Sequence, residues 1–202
     1  MGLNFYVNEH VLIPRQDTET LIENILKWCE RKSVTTGIDI GTGSGCIGIT
    51  LAHYLPQLSM TLVDISKEAL QVASYNVKMH ELTNRIELIQ SNMLESYKGD
   101  KVDLIVSNPP YIPMKDMEDL MTEVKDHEPH LALTDGGDGL YFYQEITKNA
   151  KNYLNANGIL AYEIGYDQGK AVVELMEEAG YSDVTLYQDL AGKDRVVIGQ
   201  YK

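Results

Sequence analysis

The chain has 202 residues, 44% hydrophobic and 23% charged, a balance that excludes a disordered protein and suits one globular domain with a sizeable core. Asp and Glu number 30 against 17 Lys and Arg, and the resulting net charge of −13 argues against a surface built to hold phosphate backbones, a local basic patch aside. No stretch approaches the roughly 20 apolar residues of a membrane span, and the N-terminus lacks the charged-then-apolar layout of a signal peptide.

Phe5 to Ile13 has the short apolar runs of a hairpin or an extended arm, ended by Pro14-Arg15. A helix is predicted from Asp17, with Leu21, Ile22, Ile25, Leu26 and Cys29 on one stripe. Beyond it, strand and helix alternate. Gly37 to Ile40 reads as a strand, and Cys46 to Tyr54 as a helix stopped by Pro56. Met60 to Ile65 is a strand, after which Ser66 caps a helix to about His80. Arg85 to Gln90 and Val102 to Ser107 are further strands. A helix is expected from about Leu140 to Leu154, a strand from Gly158 to Ile164, and a helix from Asp167 to Ala179 with Gly180 at its C-cap. Val184 to Asp189, the turn Ala191-Gly192-Lys193-Asp194 and Arg195 to Gln200 close the order as a β-hairpin, so the last strand is antiparallel to its neighbour. Cys29 and Cys46 make neither a metal cluster nor a disulfide framework, and are expected to be reduced core residues of a cytosolic protein.

Such an alternation predicts an α/β fold, an open and mostly parallel sheet with helices on both faces. With its closing hairpin it resembles the Rossmann-like class I S-adenosylmethionine-dependent methyltransferases. Ordinary dinucleotide-binding folds lack that hairpin.

Gly41-Thr42-Gly43-Ser44-Gly45 stands where the first strand meets the next helix, and glycines there permit a tight turn and close approach of a ligand to the backbone. Gly43, Gly45 and Gly48 also satisfy GxGxxG, a nicotinamide or flavin fingerprint. Register favours the other reading, since Gly41 follows the strand directly and Gly43 lies three residues past Ile40. Asp64 ends the second strand 64 − 45 = 19 residues after the last glycine, where a carboxylate can accept both ribose hydroxyls of a nucleoside cofactor. It could also serve only as a charge before the helix that Ser66 opens. Asn92 and Met93, after the third strand, are placed beside an adenine, with Asn92 as an uncharged acceptor for its amine and Met93 against the ring or merely in the core.

Asn108-Pro109-Pro110-Tyr111 follows the apolar strand directly. The first proline holds Asn108 extended, and neither proline has an N–H to offer. The turn therefore presents acceptors, the Asn108 side-chain oxygen and the carbonyls of Asn108 and Pro109, beside an aromatic ring. Such a pocket suits a planar –NH2 group, a carboxamide or the exocyclic amine of a nucleobase, although Asn-Pro also marks ordinary turns.

With these elements in order, the chain resembles the HemK-type protein-(glutamine) methyltransferases over nearly its whole length. Leu12-Ile13-Pro14-Arg15 with Thr18-Glu19 is similar to the family's Leu-Ile-Pro-Arg-Pro-Glu-Thr-Glu segment. Glu128-Pro129, Ala132-Leu133, Asp138-Gly139-Leu140, Glu163-Ile164-Gly165 with Gln168, and Asp194-Arg195-Val196-Val197 follow in register. Gln16-Asp17 stands in place of the family's Pro-Glu, and His127 in place of its Tyr.

The resemblance implies a seven-stranded sheet. It also implies S-adenosyl-L-methionine as cofactor, leaving as S-adenosyl-L-homocysteine, at Gly41 to Gly45, Asp64, Asn92, Met93 and Asn108. The substrate would be a protein glutamine, that of the Gly-Gly-Gln loop in peptide chain release factors. Asn108 and Pro109 would take its two amide hydrogens, Tyr111 would pack on the amide plane, and Pro110 would join these three in binding the substrate. Residues 1–33 are expected to be a hairpin and helix leading into a catalytic domain of 34–202, without the family's helical N-terminal docking domain. The compartment implied is the cytoplasm.

An adenine amino-methyltransferase acting on DNA or RNA is the competing enzyme, because the same turn serves that chemistry, and the acidity weighs against it. Glutamine methylation of a ribosomal protein and a non-catalytic module keeping the cofactor pocket stand further off. His127 and His130 flank Glu128 but have no third ligand nearby, so they read as loop histidines and no metal is expected. Arg15 is placed either at the site's border or on the surface, and Glu163 in a structural hydrogen-bonding role.

Overall fold

The computed structural model describes residues 1–119 and 129–202. Seven strands form one sheet: β1 (Thr36–Ile40), β2 (Ser59–Asp64), β3 (Ile86–Gln90), β4 (Val102–Ser107), β5 (Leu154–Glu163), β6 (Ser182–Gln188) and β7 (Asp194–Gln200). Among the described residues five α-helices accompany them: α1 (Thr18–Cys29), α2 (Cys46–Tyr54), α3 (Lys67–Met79), α4 (Tyr141–Ala150) and α5 (Gly169–Glu178). The strand order is β3-β2-β1-β4-β5-β7-β6. The first five strands run parallel, and β7 lies antiparallel between β5 and β6, as the sequence predicts for a hairpin closing this kind of sheet.

Parallel strands covered by helices on both faces are apolar at nearly every position, and β4 and β5 show it. Along β4, Leu104 and Val106 face a core shared with Leu21, Ile25 and Ile49, while Ile105 faces the opposite core with Tyr143, Ile146 and Val172. Along β5 the alternation repeats, Ile159 and Ala161 against Leu160 and Tyr162. α1 and α2 cover the first face, α4 and α5 the second.

Register sets the site. Ile40 pairs with Val63 on one side and Ser107 on the other, Asp64 pairs with Gln90, and Ser107 with Tyr162. The strands β1 to β5 therefore end at one level, and everything that follows each strand meets in one crevice. The sheet's order reverses between β1 and β4, the place where open α/β sheets bind ligands.

Two expectations change. Residues 5–13 form no strand, so of the two shapes foreseen for the N-terminus the segment takes that of an arm. It lies on α3, with Val11 buried against Ala69 and Val72, and Asn76 bonding both Tyr6 backbone groups in place of a second strand. The helix foreseen to Leu154 stops at Ala150, and β5 begins at Leu154, four residues early. Val102 N–H donates to the Tyr153 carbonyl (2.8 Å), which draws this stretch onto the sheet, and the positive φ of Asn157 (66°) takes up the irregularity between β4 and β5. Among the described residues no helix is long and apolar enough to cross a membrane.

Candidate active site

The glycine run forms one wall of a cavity of about 230 Å³. Gly41 and Thr42 N–H both donate to the Val63 carbonyl (2.8 and 3.0 Å), which folds the chain back over β2. Gly41, Gly43 and Gly45 all have positive φ (69°, 55° and 83°), a region costly for residues with a Cβ. They serve two ends. A Cβ on Gly41 or Gly43 would meet nothing within 4 Å, whereas one on Gly45 would stand 2.8 Å from Ile49 Cδ1. The first two leave the backbone open to a ligand, and the third lets α2 seat on the sheet.

Two carboxylates brace the loop. Asp39 is fully buried, and its Oδ2 accepts from the Thr42 hydroxyl (2.7 Å) and Gly48 N–H (3.0 Å). Burial pushes its pKa up to about 6 against the pull of those two bonds. Sequence reasoning missed this role, and the available signal was a lone acid inside the apolar run Ile38-Asp39-Ile40. Asp64 accepts from Gly43 N–H (2.9 Å) on Oδ2 and from Ser66 N–H (2.9 Å) on Oδ1, and Ser66 caps α3 through Ala69 N–H (3.1 Å). Burial raises the Asp64 pKa while these backbone donors lower it. Both readings of Asp64 meet here, since it lines the cavity and opens the helix.

The rest of the predicted cofactor set lies along the same cavity: Thr42, Ser44, Asn92, Met93 and Asn108. Asn92 is exposed and spends its –NH2 on Glu95 Oε1 (3.0 Å), leaving its own oxygen to accept. Met93 takes a positive φ (46°) that turns the chain there. The arm supplies a wall not foreseen, through His10, Val11, Leu12 and Pro14, and it ends on Arg15, which lines the cavity as the first of its two readings had it. Asn76 holds it, donating to the carbonyls of both Tyr6 (2.9 Å) and Ser44 (2.8 Å) and so tying arm to glycine loop.

At the far end, Ser107 Oγ donates to the Ile40 carbonyl (2.7 Å) and locks the end of β4 to that of β1. Asn108, Pro109 and Pro110 line the cavity there. Tyr111 does not. Its ring packs on the core beneath α4, its carbonyl accepts from Gln168 Nε2 (3.0 Å), and burial pushes its hydroxyl up to about 12. Gln168 uses both ends of its amide, donating also to the Gly139 carbonyl (3.2 Å) and accepting from Gly165 N–H (3.0 Å). Gly139 must be glycine, because a Cβ would stand 2.2 Å from the Tyr111 carbonyl oxygen at a φ of 84°. Asp135 closes the same loop by accepting from Gly139 and Tyr141 N–H (both 3.0 Å).

Behind the turn lies a charged cluster. Glu163, the last residue of β5, is 2% exposed, and its Oε2 has no partner. Burial drives its pKa up to about 7 against the Thr18 and Asn108 side chains and Arg195. Arg195 bridges Asp17 (3.3 Å) and Asp189 (3.1 Å). His130 opens an exposed 3₁₀ turn, and His127 and Glu128 lie outside the described residues.

The arrangement suits a nucleoside carrying a cationic sulfonium. Open backbone, the Asp64 carboxylate, the buried and unpartnered Ser44 hydroxyl and the apolar surfaces of Ile40, Ile65 and Phe142 share one cavity. A carboxylate has about four lone-pair sites, so Asp64 retains acceptor capacity beyond its two backbone donors.

Comparison with known proteins agrees with that chemistry. The methyltransferase small domain family model matches residues 16–179. A release factor glutamine methyltransferase from Fusobacterium nucleatum is 44% identical over 200 residues, which is 98% of this chain and 56% of that one. One from Clostridium acetobutylicum is 40% identical over 98% of this chain and 70% of its own length. A methyltransferase from Pyrococcus furiosus superimposes with a TM-score of 0.70 at 18% identity, covering 98% of this chain and 89% of that one.

Proposed function

Because the chain belongs to the methyltransferase small domain family, and within it to the release factor glutamine methyltransferases, we propose that it methylates the side-chain amide nitrogen of a protein glutamine, that of the Gly-Gly-Gln loop of a peptide chain release factor. The observation that carries this reading is the acceptor turn. Asn108 stands level with the glycine loop across β1 and β4, beside two prolines that offer no N–H.

S-adenosyl-L-methionine, when bound, supplies an electrophilic methyl group on a sulfonium. Asp64 is assigned to the ribose hydroxyls, the open backbone of Gly41 to Ser44 to the amino-acid portion with Gly45 seating α2 behind it, and Asn92 with Met93 to the adenine. A glutamine nitrogen is a poor nucleophile, since its lone pair is delocalised into the carbonyl. The Asn108 side-chain oxygen and the Pro109 carbonyl accept its two hydrogens and aim the lone pair at the cavity. As positive charge develops on nitrogen these two bonds strengthen, so they stabilise the transition state more than the bound substrate. Orientation of this kind contributes up to about 7–11 kcal/mol in favourable cases. No strong base is required, because the nitrogen, once methylated and positively charged, is acidic enough to release one of its two protons to water. Tyr111 supports the turn from behind, through its ring and its carbonyl, in place of the stacking role expected of it.

Labelled methyl transfer tests the proposal, offered in parallel to release factor, to its Gln→Ala loop variant, to ribosomal protein and to DNA and RNA. Label on intact release factor alone is the expected result. Label on adenine, whose amine the same acceptors could hold, would replace this reading with the competing one.

A further inference from the structure

Glu163 is a buried carboxyl to which the chemistry above assigns nothing. Burying a charge without full hydrogen bonding is costly, and such a group persists where something else recovers that cost. Ser107 pairs with Tyr162, so Asn108 and Glu163 follow side by side at the ends of adjacent parallel strands, Glu163 Oε2 has no hydrogen-bond partner, and the Thr18 and Asn108 side chains are close enough to hold the carboxyl's pKa down. A carboxamide has two unlike ends. Next to an ionised carboxylate, which can only accept, Asn108 settles with its –NH2 inward, and Oδ1 is left for the cavity that Asn108 lines.

We infer that Glu163 is a positioning residue of the acceptor turn: its carboxylate takes the Asn108 –NH2 and so fixes which end of that carboxamide meets the methyl acceptor. The contact also strengthens the acceptor, because a charged hydrogen bond at the –NH2 polarises the amide and raises electron density on Oδ1. The inference deepens the proposed function and rests on it for the identity of the substrate group.

The surroundings poise the carboxyl. Burial raises its pKa to about 7, Thr18, Arg195 and Asn108 lower it, and Asp17 raises it. Tyr111 from the turn, Tyr143 from α4 and Cys46 from α2 also feel its charge. Once protonated, Glu163 becomes a donor and favours the flipped amide, which turns –NH2 against the –NH2 of the substrate. Methyl transfer should therefore decline as pH falls through about 7.

Two measurements decide it. In the ¹⁵N-labelled protein, the Asn108 side-chain protons, identified by their loss in Asn108→Ala, should shift as Glu163 titrates and lose that response in Glu163→Gln. Asn108 signals indifferent to both overturn the inference whatever the substrate proves to be. With a Gly-Gly-Gln peptide and S-adenosylmethionine, E163Q should transfer methyl roughly tenfold more slowly, the gap between a charged and a neutral hydrogen bond, with cofactor affinity and peptide KM within about twofold. Glu163→Asp, which restores the charge, should recover part of that loss. Added to Asn108→Ala, E163Q should change nothing further, because the residue acts through Asn108. A multiplied loss in the double variant, or wild-type transfer by E163Q, overturns the inference. Wild-type protein that leaves the peptide unmethylated refutes the proposed function, and the Asn108 signals still decide whether Glu163 orients that side chain.

Discussion

The two ends of the cavity are built differently. The glycine loop is braced by neighbours in the chain: Thr42 and Gly48 donate to Asp39 from 3 and 9 residues away, and Gly43 to Asp64 from 21. The acceptor turn is held from afar. Gln168 reaches Tyr111 across 57 residues and Gly139 across 29, and Glu163, at the end of β5, lies level with Asn108 just past β4. The local end can form with little more than β1, α2 and β2, while the distant end needs β4, β5, α5 and the loop before α4. Cofactor binding and methyl transfer should therefore fail separately.

Asn108 carries the heaviest loss. Asn108→Ala removes the substrate's acceptor and should cut single-turnover methyl transfer by roughly a hundredfold or more, while cofactor affinity weakens less than tenfold. Normal transfer by Asn108→Ala would end the amide-cradle mechanism.

Asp64→Ala attacks the other end. It takes away a charged acceptor and loosens Gly43 and Ser66, so calorimetry should show cofactor binding weakened by about 2–3 kcal/mol. At saturating cofactor the transfer rate should stay within a few-fold of wild type. A collapsed rate at saturation would mean that the two ends are coupled after all.

Gln168→Ala tests whether distant braces matter to chemistry. It strips the donor from the Tyr111 and Gly139 carbonyls and should cost about 2 kcal/mol of stability by denaturant titration. Methyl transfer should fall several-fold with cofactor affinity unchanged. Equal losses in both would remove the distinction between the ends.

A subtler signal lies in the pH dependence of stability. Glu163 rises in the fold from an ordinary 4.5 to about 7, and Asp39 from 3.8 to about 6. The native state therefore binds protons that the unfolded chain has released, so each group's contribution is greatest below its ordinary value and is lost as pH climbs to its folded value. Melting curves should show Glu163→Gln abolishing the decline between about pH 6 and 7 and making it shallower between 4.5 and about 6, where the share that belongs to Asp39 persists. A difference curve flat across that window would deny Glu163 its raised pKa.

The same contrast governs what could be read from the sequence. Strand periodicity, the glycine run and the Asp64 spacing are local patterns, and the sheet with its antiparallel closing strand followed from them. Asn108 was legible because two prolines after an apolar strand admit few shapes. The braces of the turn were not. Gln168 matters because a helix N-terminus brings it under Tyr111, and no spacing in the chain announces that meeting. Asn76 sits mid-helix, where an asparagine signals nothing until the arm lies across it. The contiguous motif suggests that Tyr111 meets the substrate with the rest of its turn, but it does not announce that its ring packs on the core and its carbonyl is held by Gln168.

β7 is the last strand in chain order, yet it lies inside the sheet, and its Arg195 grips Asp17 at the start of α1. During synthesis a ribosome releases the chain from its N-terminus, so α1 and the five parallel strands are available long before the residue that ties them off. Until residues beyond 195 have cleared the exit tunnel, β5 presents a bare edge where β7 belongs. A stalled or clipped chain would keep its glycine loop while lacking the strand that backs the acceptor turn. The nascent protein thus carries no finished acceptor turn until β7 slots between its neighbours.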